Sequence, residues 1–193
     1  MTLSALGIFS AAGAGGAAFS SDYELISSTI LGSSTPSVSF SSLGTYSSTY
    51  KHLQIRYTLR GDRASDAEGI ICRLNGDSGN NYANHQLFGN GSSVGSGAQT
   101  SFSSFELHYT SAATTTANVF GSGVIDFLDA FSTTKNKTRR VSYSMGVHSG
   151  FSGVYLISGV WMNTAAITSI AFTPQFGSNW VTGSRFSLYG IKG

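Results

Sequence analysis

In the stretch STYKHLQIR, Ser48 to Arg56, and the three residues after it, Leu53, Ile55, Tyr57 and Leu59 alternate with His52, Gln54, Arg56 and Thr58. A period of two sends the apolar set to one face of an extended backbone and the polar set to the other, the pattern of a half-buried β-strand. The same design recurs along most of the chain. Tyr23–Ile30, Val38–Phe40, Lys51–Leu59, Gly69–Leu74, Tyr82–Phe88, Phe105–Tyr109, Val119–Leu128, Val141–Val147, Val154–Trp161, Ile167–Thr173 and Arg185–Ile191 all read as strands. Gly, Ser, Asn and Asp turns separate them, the strongest being Asn75-Gly76-Asp77-Ser78-Gly79. Roughly ten strands at this spacing predict an all-β protein, an antiparallel jelly-roll-like β-sandwich. Val119–Leu128 is apolar enough to expect burial on both faces, and Gly89–Gly97 reads as a long glycine-serine loop. Asp126–Phe131 has room for one helical turn and no more.

The sandwich is expected over residues 22–193, preceded by the apolar, glycine-rich segment Met1–Ser21. That segment lacks the basic start of a signal peptide, since no Lys or Arg occurs before Lys51. Ser4, Ser10 and four glycines interrupt the run of about 20 apolar residues that a membrane span requires. Leu3, Leu6, Ile8 and Phe9 instead form a short sticky element on an Ala/Gly linker, suited to anchoring in a partner.

Charged residues are 10% of the chain, against about 25% in an ordinary domain, yet 13 Phe and 9 Tyr supply apolar mass. The outer surface must therefore be solvated by hydroxyls and amides. A net charge of +2 gives little attraction for nucleic acid or an acidic membrane, and neither is expected as a partner. Lys135, Lys137, Arg139 and Arg140 form the densest cationic run; its plain reading is a solvated loop and strand start, its functional one a phosphate or glycan contact. Cys72 is alone and in phase with Ile70 and Leu74, which predicts a buried small hydrophobe.

No nucleophile elbow, metal-ligand spacing or phosphate-binding fingerprint is present, so no cofactor and no catalytic residue is expected. The turn at Asn75–Asn81 has oxygen-bearing side chains like the start of a calcium loop, but lacks that motif's distal Glu. A glycan-degrading enzyme would need two of the nine carboxylates facing each other across a cleft; Asp62, Asp66 and Glu68 share one loop. A glycan-binding face is the better non-structural reading, with Trp180 in its polar loop FGSNWVTG, Asn179 beside it and Asn90 as candidate contacts.

The phrases YELISSTIL, STYKHLQIR, RLNGDSGNNYANHQLFGNGSS, FSTTKNKTRR, WMNTAAITSI and, most specifically, SRFSLYGIKG together resemble a family of small virion structural proteins of tailed bacteriophages, frequent in marine and cyanobacterial phages. The resemblance spans about residues 22–193 and implies a tail-fibre, minor tail or capsid-decorating protein without enzymatic activity. A tail-attached fibre or adhesin is the first expectation and a capsid decoration protein at capsomer junctions the second. A glycan-binding module or glycan-degrading enzyme is the third. By analogy with phage jelly rolls the state would be a homotrimer, bound to other virion proteins, with a host cell-surface glycan as a further candidate partner, in a virion assembled in the host cytoplasm.

Overall fold

The computed structural model describes residues 21–145 and 153–193. Twelve strands run through them: β1 (Tyr23–Ile30), β2 (Val38–Phe40), β3 (His52–Leu59), β4 (Ala67–Leu74), β5 (Tyr82–Gly89), β6 (Val94–Phe102), β7 (Phe105–Ser111), β8 (Gly121–Leu128), β9 (Lys137–Met145), β10 (Gly153–Trp161), β11 (Ile170–Pro174) and β12 (Arg185–Ile191). They form an eight-stranded sheet, β1-β12-β3-β8-β9-β10-β5-β6, and a four-stranded sheet, β2-β11-β4-β7. Every ladder is antiparallel. The chain is an all-β antiparallel sandwich, as its alternation predicts.

The core lies between the sheets. Leu53, Ile55, Tyr57 and Leu59 of β3, Ile125 and Phe127 of β8, and Val141, Tyr143 and Met145 of β9 face Ile70, Cys72 and Leu74 of β4, Phe105 and Leu107 of β7, and Ile170 and Phe172 of β11; all are buried. Burying side chains of this size stabilises by about 1.5–3 kcal/mol each. Cys72 is fully buried, and desolvation pushes its thiol up to about 12, which keeps it protonated and inert.

Four details differ from the sequence reading. Residues 94–97, expected in a loop, belong to β6, which pairs with β5 over its length. β8 is buried on one face only, with Ser122 and Leu128 exposed. Its Gly123 faces Tyr57 and Tyr143 on the inner side, where an added Cβ would fall 2.5 Å from the Tyr57 ring. Asp126 and Phe127 stay in the ladder against Gln54 and Leu53, so no helical turn forms there. The helical piece among the described residues is a short 3₁₀ turn at Leu43–Tyr46.

The fourth concerns the cationic run. Strand periodicity splits it, with Lys137 and Arg139 turned into the core beside Val141, and Arg140 turned out. Lys137 Nζ donates to the carbonyls of Lys135 and Thr164 at 2.7 and 3.0 Å. Arg139 donates to Asn84 Oδ1 and the Glu106 carbonyl, and its guanidinium lies 4.0 Å from the Phe105 ring centroid. Desolvation lowers its pKa to about 10. Gly159 makes the room, since a Cβ there would fall 2.8 Å from Arg139 Nε. Lys135 and Arg140 pair with Asp129 and Asp126. The four cations do not converge on a phosphate or glycan.

Candidate interaction surface

Antiparallel register turns the outer face of the large sheet into a grid of cross-strand rows. One row runs Tyr189–Gln54–Asp126–Arg140–Ser158–His85–Ala98, the next Ser187–Arg56–Val124–Ser142–Leu156–Leu87–Ser96, and the third Arg185–Thr58–Ser122–Ser144–Val154–Gly89–Val94. The end near β1 is polar and internally bonded. Tyr23 OH donates to Gln54 Oε1 at 2.7 Å, Gln54 Nε2 to Asp126 Oδ1 at 2.7 Å, and Arg140 Nη2 to Asp126 Oδ2 at 3.2 Å. The Tyr23 and Tyr189 rings stack at 4.7 Å, with the Arg56 guanidinium 5.5 and 5.4 Å from their centroids.

The other end has a different chemistry. β10, β5 and β6 are neighbours in the sheet and contain no Asp, Glu, Lys or Arg. Val94 is 89% exposed, Val154 64%, Leu87 60% and Leu156 51%. Leu87 and Leu156 are direct cross-strand partners, and Val154 and Val94 flank Gly89 in the next row. The four make one strip beside a depression of about 860 Å³ that Ser96 and Ser142 also line. Isolated exposed apolar residues are ordinary, whereas a contiguous strip on a sheet face marks a surface that association would cover.

Of the residues expected to meet a glycan, Trp180 and Asn179 lie elsewhere, and Asn90 lies apart from them in the β5–β6 turn. Trp180 is fully buried, which overturns its reading as a surface platform. Its indole donates to the Phe172 carbonyl at 3.3 Å and packs edge-on to Phe186 at 6.2 Å. Its loop reads as polar because the neighbours of Trp180 spend their polar groups on two carboxylates. Asp62 Oδ1 accepts from the Ser178 and Asn179 amides at 2.8 and 3.0 Å, and Asp62 Oδ2 accepts from Asn179 Nδ2 at 2.8 Å. Glu68, buried, accepts from the amides of Gln175, Phe176 and Gly177 at 3.1, 2.8 and 2.8 Å. Burial opposes the Asp62 charge, but the hydrogen bonds from Asn179 and Ser178 outweigh it and hold the carboxyl below the usual range. Asn179 is thus a brace. Asn90 is exposed at the β5–β6 turn, where its Oδ1 accepts from the Ser92 and Ser93 amides at 3.1 and 2.8 Å. Leu3, Leu6, Ile8 and Phe9 lie outside the described residues.

Asp62 and Glu68 do come together, on either side of Gly177, where an added Cβ would fall 2.6 Å from Asp62 Oδ1. Their oxygens are occupied by backbone amides and the Asn179 side-chain amide of that loop, so the pair closes the 175–179 loop instead of flanking a cleft. Arg60 acts likewise on the 113–119 loop, donating to the carbonyls of Ala113, Thr115, Thr116 and Val119. The calcium-like turn is also a brace, since Asp77 accepts from Gly79 N, Asn81 Nδ2 and Trp161 Nε1 at 2.8, 3.0 and 2.7 Å.

The bonds from Asn81 and Trp161 hold the Asp77 carboxyl below the usual aspartate range. Its folded pKa lies below its unfolded one, so its contribution to stability is complete above the ordinary value and is lost as pH falls through the folded pKa. The urea midpoint is expected to fall as pH drops through and below the ordinary aspartate range. Asp77→Asn is expected to flatten that dependence, read by tryptophan fluorescence.

No family model, curated protein or solved structure matches the chain.

Proposed function

We propose that this chain is a non-enzymatic structural protein of a bacteriophage virion, a tail-attached fibre or adhesin. It is held through the segment that contains Leu3, Leu6, Ile8 and Phe9 and presents the sandwich outward. The layout of the large sheet is the observation that supports this reading. The chain enters the described fold at β1, one edge of the sheet, and the charge-free β10-β5-β6 end with its exposed apolar strip is at the opposite edge. At ~4.8 Å per ladder step the two edges are separated by roughly 34 Å. A protein held at one edge and covered at the other links two bodies. The braced carboxylates and the internally bonded polar rows favour assembly over catalysis, because their hydrogen-bonding capacity serves the fold.

Quantitative mass spectrometry of purified particles, against the major capsid protein, tests the reading. A few to a few tens of copies are expected; hundreds would make the chain a capsid decoration protein, and absence from the particle would overturn a virion role. Removing residues 1–21 is expected to leave a folded sandwich that particles no longer incorporate. Normal incorporation of that variant would sink the anchor.

A further inference from the structure

We infer that the edge of β6, unpaired among the described residues, is a self-association site, at which two copies of this chain pair antiparallel about a two-fold axis to continue the large sheet from one molecule into the next. This stands independently of the virion reading and is an alternative to the homotrimer expected by analogy with phage jelly rolls. The groups to be matched are a row of backbone amides and carbonyls, which another extended strand satisfies in register.

Among the described residues, three of the four sheet edges carry a device that discourages such pairing. β1 has a register break between Leu25 and Ser27, and its Glu24 is tied to Lys192 and Tyr50. β2 is three residues long. β7 carries Glu106 and faces a register break between Gly69 and Ile71. β6 is nine residues long and has no charge and no proline. Its irregularity is confined to its far end, where Ser101 has φ 62° and the pairing with β5 shifts between Tyr82 and Asn84. Val94 to Gln99 keep unbroken register.

The chemistry of this edge selects a second copy. A foreign strand recognised by charge finds nothing to pair with on β10, β5 or β6. Two copies meeting here strip water from no Asp, Glu, Lys or Arg of these strands and, at a net charge of +2 each, repel weakly. A two-fold axis centred on Ser96, Gly97 or Ala98 sets small side chains opposite small side chains. It also brings Val94, Leu87, Leu156 and Val154 of both copies onto one face, so the most exposed apolar residues of the strip flank the junction.

The test is sedimentation or native mass spectrometry of the full chain at tens of micromolar, with charge-swapped variants. The wild type is expected to be a dimer. Ser96→Lys with Ala98→Lys, and Ser96→Glu with Ala98→Glu, each set like charges across the junction and are expected to raise the dimer dissociation constant at least about 100-fold. Mixing the two variants is expected to restore a dimer. Should either fail to fold by circular dichroism, amide exchange of wild-type residues 94–99 provides the second reading, slowing as protein concentration rises. A monomeric or trimeric wild type, a dimer indifferent to both substitutions, no recovery on mixing, or exchange independent of concentration would each overturn the inference.

Discussion

Ile55→Asp is expected to abolish folding. Ile55 is fully buried, with Leu188 and Ile125 as its cross-strand neighbours on the inner face. The carboxylate would have no partner there. An unpaired buried charge costs several kcal/mol after relaxation, against a total stability of about 5–15 kcal/mol for a domain. Three residues along the strand, Thr58→Asp points to solvent and is expected to change stability by less than about 0.5 kcal/mol. Circular dichroism and urea unfolding of the pair measure the face assignment. A cooperatively folded Ile55→Asp variant would invert it.

The second large effect is expected at Glu68. Removing its carboxylate by Glu68→Ala leaves the amides of Phe176 and Gly177 without their acceptor in the closed 175–179 loop, while the Gln175 amide keeps the Gly69 carbonyl at 2.9 Å. Each of the two orphaned donors costs about 1–3 kcal/mol, so a loss of about 2–6 kcal/mol is expected in urea unfolding. Glu68→Gln keeps the shape but presents N–H groups to amides that are themselves donors, and is expected to recover only part of the loss. Amide exchange at Phe176 and Gly177 localises the effect. A catalytic acid would behave differently, because Gln there would leave stability intact and remove activity. A Glu68→Gln chain as stable as the wild type would overturn the bracing role.

Much of the fold is written in the period of two. β1 and β2 lie where alternation puts them, and β3 begins one residue later than expected, because apolar residues at every second position leave a strand one way to bury them. β6 was not legible on those terms. Its VGSGAQTSF text has no apolar period, and pairing with β5 imposes its extended state, so tertiary context overrides a glycine-rich preference for loop. The same poverty of side chains hid the strip, since Val94 stands alone in its own strand and gains neighbours only across the ladder.

Trp180 misled for the opposite reason. Its loop is polar in sequence, but Asn179 and Ser178 turn to Asp62 and the indole turns inward; which way an aromatic in such a loop faces depends on carboxylates more than a hundred residues away. The buried cations were readable. Lys137, Arg139, Val141, Tyr143 and Met145 share one parity, and that pattern assigns both cations to the inner face. The habit of placing charge in solvent conceals it.

The position of β12 has a consequence for how the molecule is made. β1, the first described strand, pairs with β12 and no other, and β12 also carries β1 across to β3. A nascent chain that has not yet emerged beyond Ile191 cannot close the large sheet. It holds β1 without a ladder and leaves one side of β3 bare, with Leu53 and Ile55 already committed to a core that lacks Phe186 and Leu188. Contacts this distant in sequence form slowly. During synthesis the half-built sheet is the most adhesive form of this protein, and crowded polysomes would be the place where copies aggregate.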